Sequence, residues 1–497
     1  MQTNADWDKL RSRYPSPSLD RELALTQCLA VARASGATCC VIETRYFDRD
    51  YRSEYAAFEA RSFRLIPDAT HRLHFFRDQV NLADLGRLPA GIATGYVGYV
   101  SVRPRPMGRV SRTMLTAPPH MAAGVRTAVE EIVHFFGEPL RVTAAPFMEQ
   151  DTEFLRCAHV DSWMCHYAAY RRGDVGRRLS ADFALRADPS LAPFRQMPSE
   201  GLNLEQMTDV LRTFGLPPIF YNLSSLPMPD LRVPWLTLPT VPPPGTPPHP
   251  GYWDRRIIQL CCRYLNSGFP LIVCTQGHVF ILVGYYRDPA KGPSWITFIR
   301  HDDETGPYQE VTNVFNDQAF WAGGKRSFNY TPWDYIVVPL PERVWMTGEF
   351  AEAAGAYDLS DLASLWAAKR GLKSASEIQD LIAKGNLRMH TYVTTSNRYK
   401  ASLDGRGFDA TLARAYRLAR WPYRVWIVEA VDRAKREAGD LRCIVGEAIY
   451  DATSTDQDSF ILAAHVPGVA WVRTTEGEIF PLKPSTAPYE TGGFGPA

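Results

Sequence analysis

The sequence predicts an α+β protein, with helices and antiparallel strands grouped along the chain rather than alternating. Three observations carry that prediction. Two amphipathic helical patterns come first in the middle of the chain. "CAHVDSWMCHYAAY" sets Val160, Trp163, Met164, Tyr167 and Ala168 on one stripe. "GLNLEQMTDVLRTFG" has Asn203 as N-cap, Gln206 at N3 and Gly215 just past its end. After a further helix, "RRIIQLCCRYLNSG", the apolar strand runs "LIVCTQGHVFILVGYY", "WITFIR" and "DYIVVPLP" follow. Between the helical and strand blocks, ten prolines from Pro227 to Pro250 rule out regular helix and central strand. Residues 227–250 are therefore expected to form a surface loop with polyproline character.

At 497 residues the chain exceeds one ordinary hydrophobic core. Three regions are expected: mixed α/β at 1–140, the middle block at 141–340, and mixed α/β at 341–497. In the first, a helix is expected from Ser18, with Glu22 near the capping-box position and Gly36 as its stop. The strands "TCCVIE", "HRLHFF" and "GYVGYVSVRP" and the polar helix "DRDYRSEYAAFEARSF" complete that region. The third region reads as short helices ("DLSDLASLWAAKRG", "SASEIQDLIAKG", "TLARAYRLARWP") and strands ("YRVWIVEAVDR", "RCIVGEAIYDAT").

The formal net charge is +1, with 45% hydrophobic and 22% charged residues, so no global attraction to nucleic acid or anionic membrane is implied. The sequence contains no 18-residue apolar run, and its first 20 residues lack the apolar core of a secretory signal. Nine cysteines without a C-x-x-C pair suit free thiols in a reducing compartment, and a cytoplasmic protein is expected.

In the middle region, polar residues stand where apolar ones would pack more cheaply. Gln150 lies in a loop, Cys157 at the first turn of a helix, His278 at the start of a core strand, and Asp302 and Asp303 at the end of the next strand. A thiol becomes a nucleophile as its thiolate, which a helix N-terminus and a nearby imidazole both favour. A carboxylate would orient the imidazole, and the Gln150 amide with the Cys157 N–H would receive a developing oxyanion. Asp302 is the preferred third member, with Asp303 the alternative.

These residues resemble the papain-like cysteine peptidases, and most closely their bacterial C39-like branch. That branch has a Gln, a helix-capping Cys, "L-x-x-G-x-P", a strand of the type "H-(apolar)4-GY" and a strand ending in Asp. The matching positions are Gln150, Cys157, "YLNSGFPLIV", His278 with Gly284 and Tyr285, and Asp302. The resemblance spans about 190 residues, 145 to 340. It implies a papain-like core at 141–340 with an N-terminal helical part and an antiparallel sheet, flanked by two smaller regions that choose the partner. It also implies a cysteine hydrolase acting on a peptide or isopeptide bond, with no cofactor.

An acyltransferase of transglutaminase type uses the same residue order, and a non-catalytic binding module on the same scaffold is the further alternative. Cys165 and Cys274 are rival nucleophiles, one mid-helix and one in a strand. No zinc site is expected in "CAHVDSWMCH": Cys157 and Cys165 stand roughly 12 Å apart along a helix axis, and His159 and His166 lie on the face opposite Cys157. In the third region, His390, Arg398, Glu447 and Asp451 read as surface polar residues.

Overall fold

The apolar runs form strands and the amphipathic stripes form helices, giving an α+β architecture of antiparallel sheets. The computed structural model describes residues 3–14, 23–81, 93–105, 108–187, 189–191, 199–223, 250–287, 296–312, 333–367, 373–440, 442–455, 461–473 and 479–482. Ser18 and residues 227–249 of the proline-rich segment lie outside them; the helix expected from Ser18 is described over Leu23–Ala34, and a shorter helix, Asn4–Ser12, precedes it.

The chain divides into two compact units: one division, at Glu342/Arg343, falls beside the expected boundary at 340, and none falls near residue 140. The first holds the described residues of Met1–Ser225, Gly268–Val314 and Lys325–Glu342; the second holds those of Leu226–Ser267 and Arg343–Ala497. In the first unit one apolar core runs from Trp7 through Phe75, Trp163 and Ile281 to Val337. A shared core is why no division falls near residue 140.

Thirteen strands of the first unit are β1 (Cys39–Tyr46), β2 (Thr70–Phe76), β3 (Tyr96–Val102), β4 (Val110–Leu115), β5 (Val129–Phe135), β6 (Glu138–Ala144), β7 (Pro146–Phe147), β8 (Pro218–Asn222), β9 (Leu271–Thr275), β10 (His278–Arg287), β11 (Ile296–Asp302), β12 (Gly306–Thr312) and β13 (Trp333–Pro339). They make a five-stranded sheet, β1-β2-β3-β4-β7, a six-stranded sheet, β12-β11-β10-β9-β13-β8, and the β5-β6 hairpin. Along β5 buried and exposed residues alternate, as a strand with one face on the core requires.

The acidic residues Asp50 and Glu54 of the helix Arg49–Ala57 face inward because arginines meet them. Glu54 pairs with Arg103 at 3.0 Å and Asp50 with Arg112 at 3.5 Å; Asp48, the cap before this helix, lies 2.9 Å from Arg112. The polar pattern of "DRDYRSEYAAFEARSF" thus marks a buried ion-pair layer rather than a solvated face.

Strand β10 is gripped from the first part of the chain. Arg126 and Thr127 donate their backbone N–H to Val283 O at 3.0 and 3.2 Å, and Tyr285 N–H reaches Gly124 O at 2.9 Å. A Cβ on Gly284 would come within 2.2 Å of Gly124 O, so this close approach demands glycine.

In the second unit β14 (Leu387–Thr395), β15 (Arg424–Asp432), β16 (Ile444–Asp451), β17 (Ile461–Val466), β18 (Val469–Arg473) and β19 (Ile479–Leu482) form an antiparallel meander in sequence order. "SFILAAHVPGVAWV" is a hairpin, β17 and β18, rather than one strand. Tyr399, Leu412 and Tyr416 join Ile427, Ile449 and Ala463 of the sheet in one core. Glu447 and His390 are buried in this unit, not on its surface. Arg406 Nη2 bridges Glu429 and Glu447 at 2.7 Å each, and His390 Nδ1 lies 2.8 Å from Glu429.

Candidate active site

The helix Cys157–Arg172 begins at Cys157 itself, with Arg156 as N-cap in extended conformation. Its approach is fixed by Asp151, whose Oδ1 accepts backbone N–H groups of Glu153, Phe154 and Leu155 at 2.9, 2.7 and 2.8 Å. Arg105 holds the other oxygen at 3.0 Å. His159 Nδ1 accepts the Arg156 N–H at 3.3 Å, and burial pushes its pKa down to about 4, which keeps the ring an acceptor. His166 packs edge-on against Phe183 and Phe214. Both histidines of "CAHVDSWMCH" therefore serve the fold. Cys157 occupies the position where backbone N–H groups lack intrahelical partners.

His278 is placed by the tight β9-β10 hairpin. Gly277 takes φ +83°, and the Thr275 hydroxyl donates to His278 O at 2.9 Å. Ile281 pairs with His301 across β10 and β11, and that register carries the end of β11 toward the start of β10. His278 Nε2 stands 3.4 Å from Asp302 Oδ2 and 3.9 Å from Asp303 Oδ1, aligned for a hydrogen bond with neither. The ring also interacts with the Cys157 side chain. Burial, the largest influence on the imidazole, favours its neutral form. Contacts with Asp302 and Cys157 and the charges of Asp302 and Asp303 outweigh it and push the pKa up to about 11.

The two neighbouring aspartates differ. Asp302 Oδ1 accepts the N–H groups of Glu304 and Thr305 at 3.1 and 3.2 Å, while Oδ2 lies 3.3 Å from Arg300 Nη1. Burial opposes its ionisation, yet His278, Arg300 and the Glu304 N–H hold its pKa below the usual value. Asp303 is buried with neither oxygen hydrogen-bonded, and burial drives its pKa well up.

Gln150 is buried beside the same turn. Its backbone N–H points to Asp303 O at 3.4 Å and its side-chain Nε2 donates to Glu304 Oε1 at 2.7 Å. One amide N–H is thus engaged by a carboxylate, and the amide has a second N–H to donate. Cys165 is fully inside, its thiol toward Pro270 O at 3.8 Å, and Cys274 is buried on β9.

Asp161, which the sequence reading passed over, belongs to this cluster. It lies four residues beyond Cys157, on the same helical face. It is completely buried, and neither of its carboxylate oxygens has a hydrogen-bond partner. Burial drives its pKa well up, and it feels the charges of Cys157, His278 and Asp302. The signal was available: an acid at i+4 from the candidate nucleophile, the one carboxylate in this helix. His278, Asp302 and Asp303 each offer a ligand atom within 4.8 Å of the others, a spacing able to hold a cation.

Compared with known protein families and with curated proteins, the chain matches none. No helix among the described residues is long and apolar enough to cross a membrane.

Proposed function

We propose that the chain is a cysteine hydrolase with a papain-like core, cutting amide bonds of peptide or isopeptide type. The observation that carries this reading is the His278 ring, which interacts with Cys157 at a helix start and lies 3.4 Å from the Asp302 carboxylate. The thiol proton passes to His278 and the thiolate attacks the substrate carbonyl carbon. The oxyanion is received by the Cys157 backbone N–H and the Gln150 amide. His278 then protonates the leaving amine as the C–N bond breaks, leaving a thioester on Cys157. Water, deprotonated by His278, adds to the thioester carbonyl and releases the acid and the thiol. Cys28, Cys39, Cys40, Cys157, Cys165 and Cys274 are free thiols, which supports a reducing, cytoplasmic setting.

Two measurements test the reading. An activated ester should acylate Cys157, with the adduct seen by mass spectrometry and lost in water over minutes. Iodoacetamide at neutral pH should alkylate Cys157 at least tenfold faster than Cys165, Cys261 or Cys274, whose thiols burial holds up in pKa. Acylation that survives in Cys157→Ala, or equal alkylation of all four thiols, refutes the assignment. An adduct that hydroxylamine or an amine captures while water does not would identify a transferase instead.

A further inference from the structure

A Cys-His-Asp arrangement needs one carboxylate, and this site holds three. Asp302 and Asp303 face a single imidazole whose charge Asp161 also feels, and among the described residues Arg300 is the one further cation paired to them. Asp161 and Asp303 are 0% exposed, and all four of their oxygens lack hydrogen-bond partners. Buried carboxylates are normally paired or coordinate a metal. His278 Nε2 faces two carboxylate oxygens at 3.4 and 3.9 Å, both farther than an ordinary hydrogen bond.

The 3.4 Å separation of His278 Nε2 and Asp302 Oδ2 is that of neighbouring metal donors, and the set as a whole lies within 4.8 Å, close enough to draw in around an ion. Zinc with bonds of about 2.0–2.2 Å to nitrogen and oxygen places neighbouring donors about 3.3–3.5 Å apart. Asp302 Oδ1 is held by the turn N–H groups of Glu304 and Thr305, which leaves Oδ2 for a ligand. Calcium prefers six to eight oxygens, whereas an imidazole among carboxylates suits zinc or manganese.

We propose that His278, Asp302 and Asp303 form a binding site for a divalent transition-metal ion, with Asp161 as the buried countercharge behind it. The ion takes Nε2 of His278 and one oxygen from each of Asp302 and Asp303. Coordination and thiol activation then compete for the same ring, so a bound ion silences Cys157. The site is a metal-controlled off-switch layered on the hydrolase reading, but the binding itself does not depend on that reading.

The experiment uses the full chain after chelator treatment, titrated with Zn2+ or Mn2+ by calorimetry and by competition with a chromophoric chelator; Ca2+ serves as the control ion. One equivalent of Zn2+ or Mn2+ should bind, with affinity at least tenfold weaker in Asp303→Asn and Asp161→Asn. Cys157→Ser should retain binding within about threefold. Zn2+ should slow iodoacetamide alkylation of Cys157 at least tenfold, and chelator should restore it. No stoichiometric binding, binding unchanged in both aspartate variants, or equal binding of Ca2+ overturns the proposal. Metal binding without acylation of Cys157 would uphold this site while refuting the hydrolase. Acylation without metal binding would do the reverse. If Asp161→Asn fails to fold, the Asp303→Asn titration and the zinc protection of Cys157 decide.

Discussion

Asp302 Oδ2 stands between two basic groups, 3.4 Å from His278 Nε2 and 3.3 Å from Arg300 Nη1, while among the described residues Asp303 beside it has none closer than 3.9 Å. On the proposed mechanism Asp302 is the carboxylate that orients the ring. In chelator-treated protein, Asp302→Asn should slow acylation of Cys157 by an activated ester about 10²–10⁴-fold. Asp303→Asn should change it less than tenfold. Stopped-flow acylation rates for the two variants compare the roles directly, and the reverse ranking would transfer the role to Asp303.

Gln150 offers a second contrast because its amide is shared with Glu304. Gln150→Ala should reduce acylation by the ester about 10²-fold, the usual scale for one lost oxyanion donor. Alkylation by iodoacetamide forms no oxyanion and should be unchanged. Equal loss in both reactions would mean that Gln150 only supports the loop.

The stability of the first unit should depend on pH through Glu149. Burial, opposed by the Val110 N–H at 2.7 Å and by Arg103, raises its pKa from 4.5 to about 7. A raised folded pKa favours the protonated carboxyl. Its contribution is therefore complete below about pH 4.5 and is lost as pH climbs through about 7. The span corresponds to about 3 kcal/mol. Urea midpoints from pH 5 to 8 should fall more for the natural chain than for Glu149→Gln, which keeps the acceptor and removes the titration.

In the second unit Arg406 is 2% exposed and bridges two buried carboxylates, with the Tyr399 hydroxyl also donating to Glu447. Arg406→Ala would strand Glu429 and Glu447 and should destabilise the unit by about 3–5 kcal/mol. Hydrogen exchange should show the loss first in β15 and β16, whose central residues those glutamates are.

What could be read from the sequence was mostly local. The Asn203–Gln206 capping box and Gly215 at φ +85° were visible because their partners lie within one helix. His278 was visible as a polar residue opening an apolar strand. Glu447 was misread because Arg406, which neutralises it, lies 41 residues away, and Glu429, which shares that arginine, lies on the neighbouring strand. Arg112 likewise stands 64 residues from Asp48, and no periodicity reports such a pair. The boundary near 140 failed for the same reason, since core contacts that cross it leave no mark on composition.

The grip of residues 124–127 on β10 bears on how such a chain could be assembled or trimmed. Gly284 is a notch cut to receive the Gly124 carbonyl, and Val283 and Tyr285 have their backbone groups committed to the same segment. A fragment beginning at residue 141 would keep Cys157, His278 and Asp302 yet leave that notch open to water beside the histidine strand. The first 140 residues are thus no exchangeable cassette: a chimera that swaps them must also supply a matching key for Gly284.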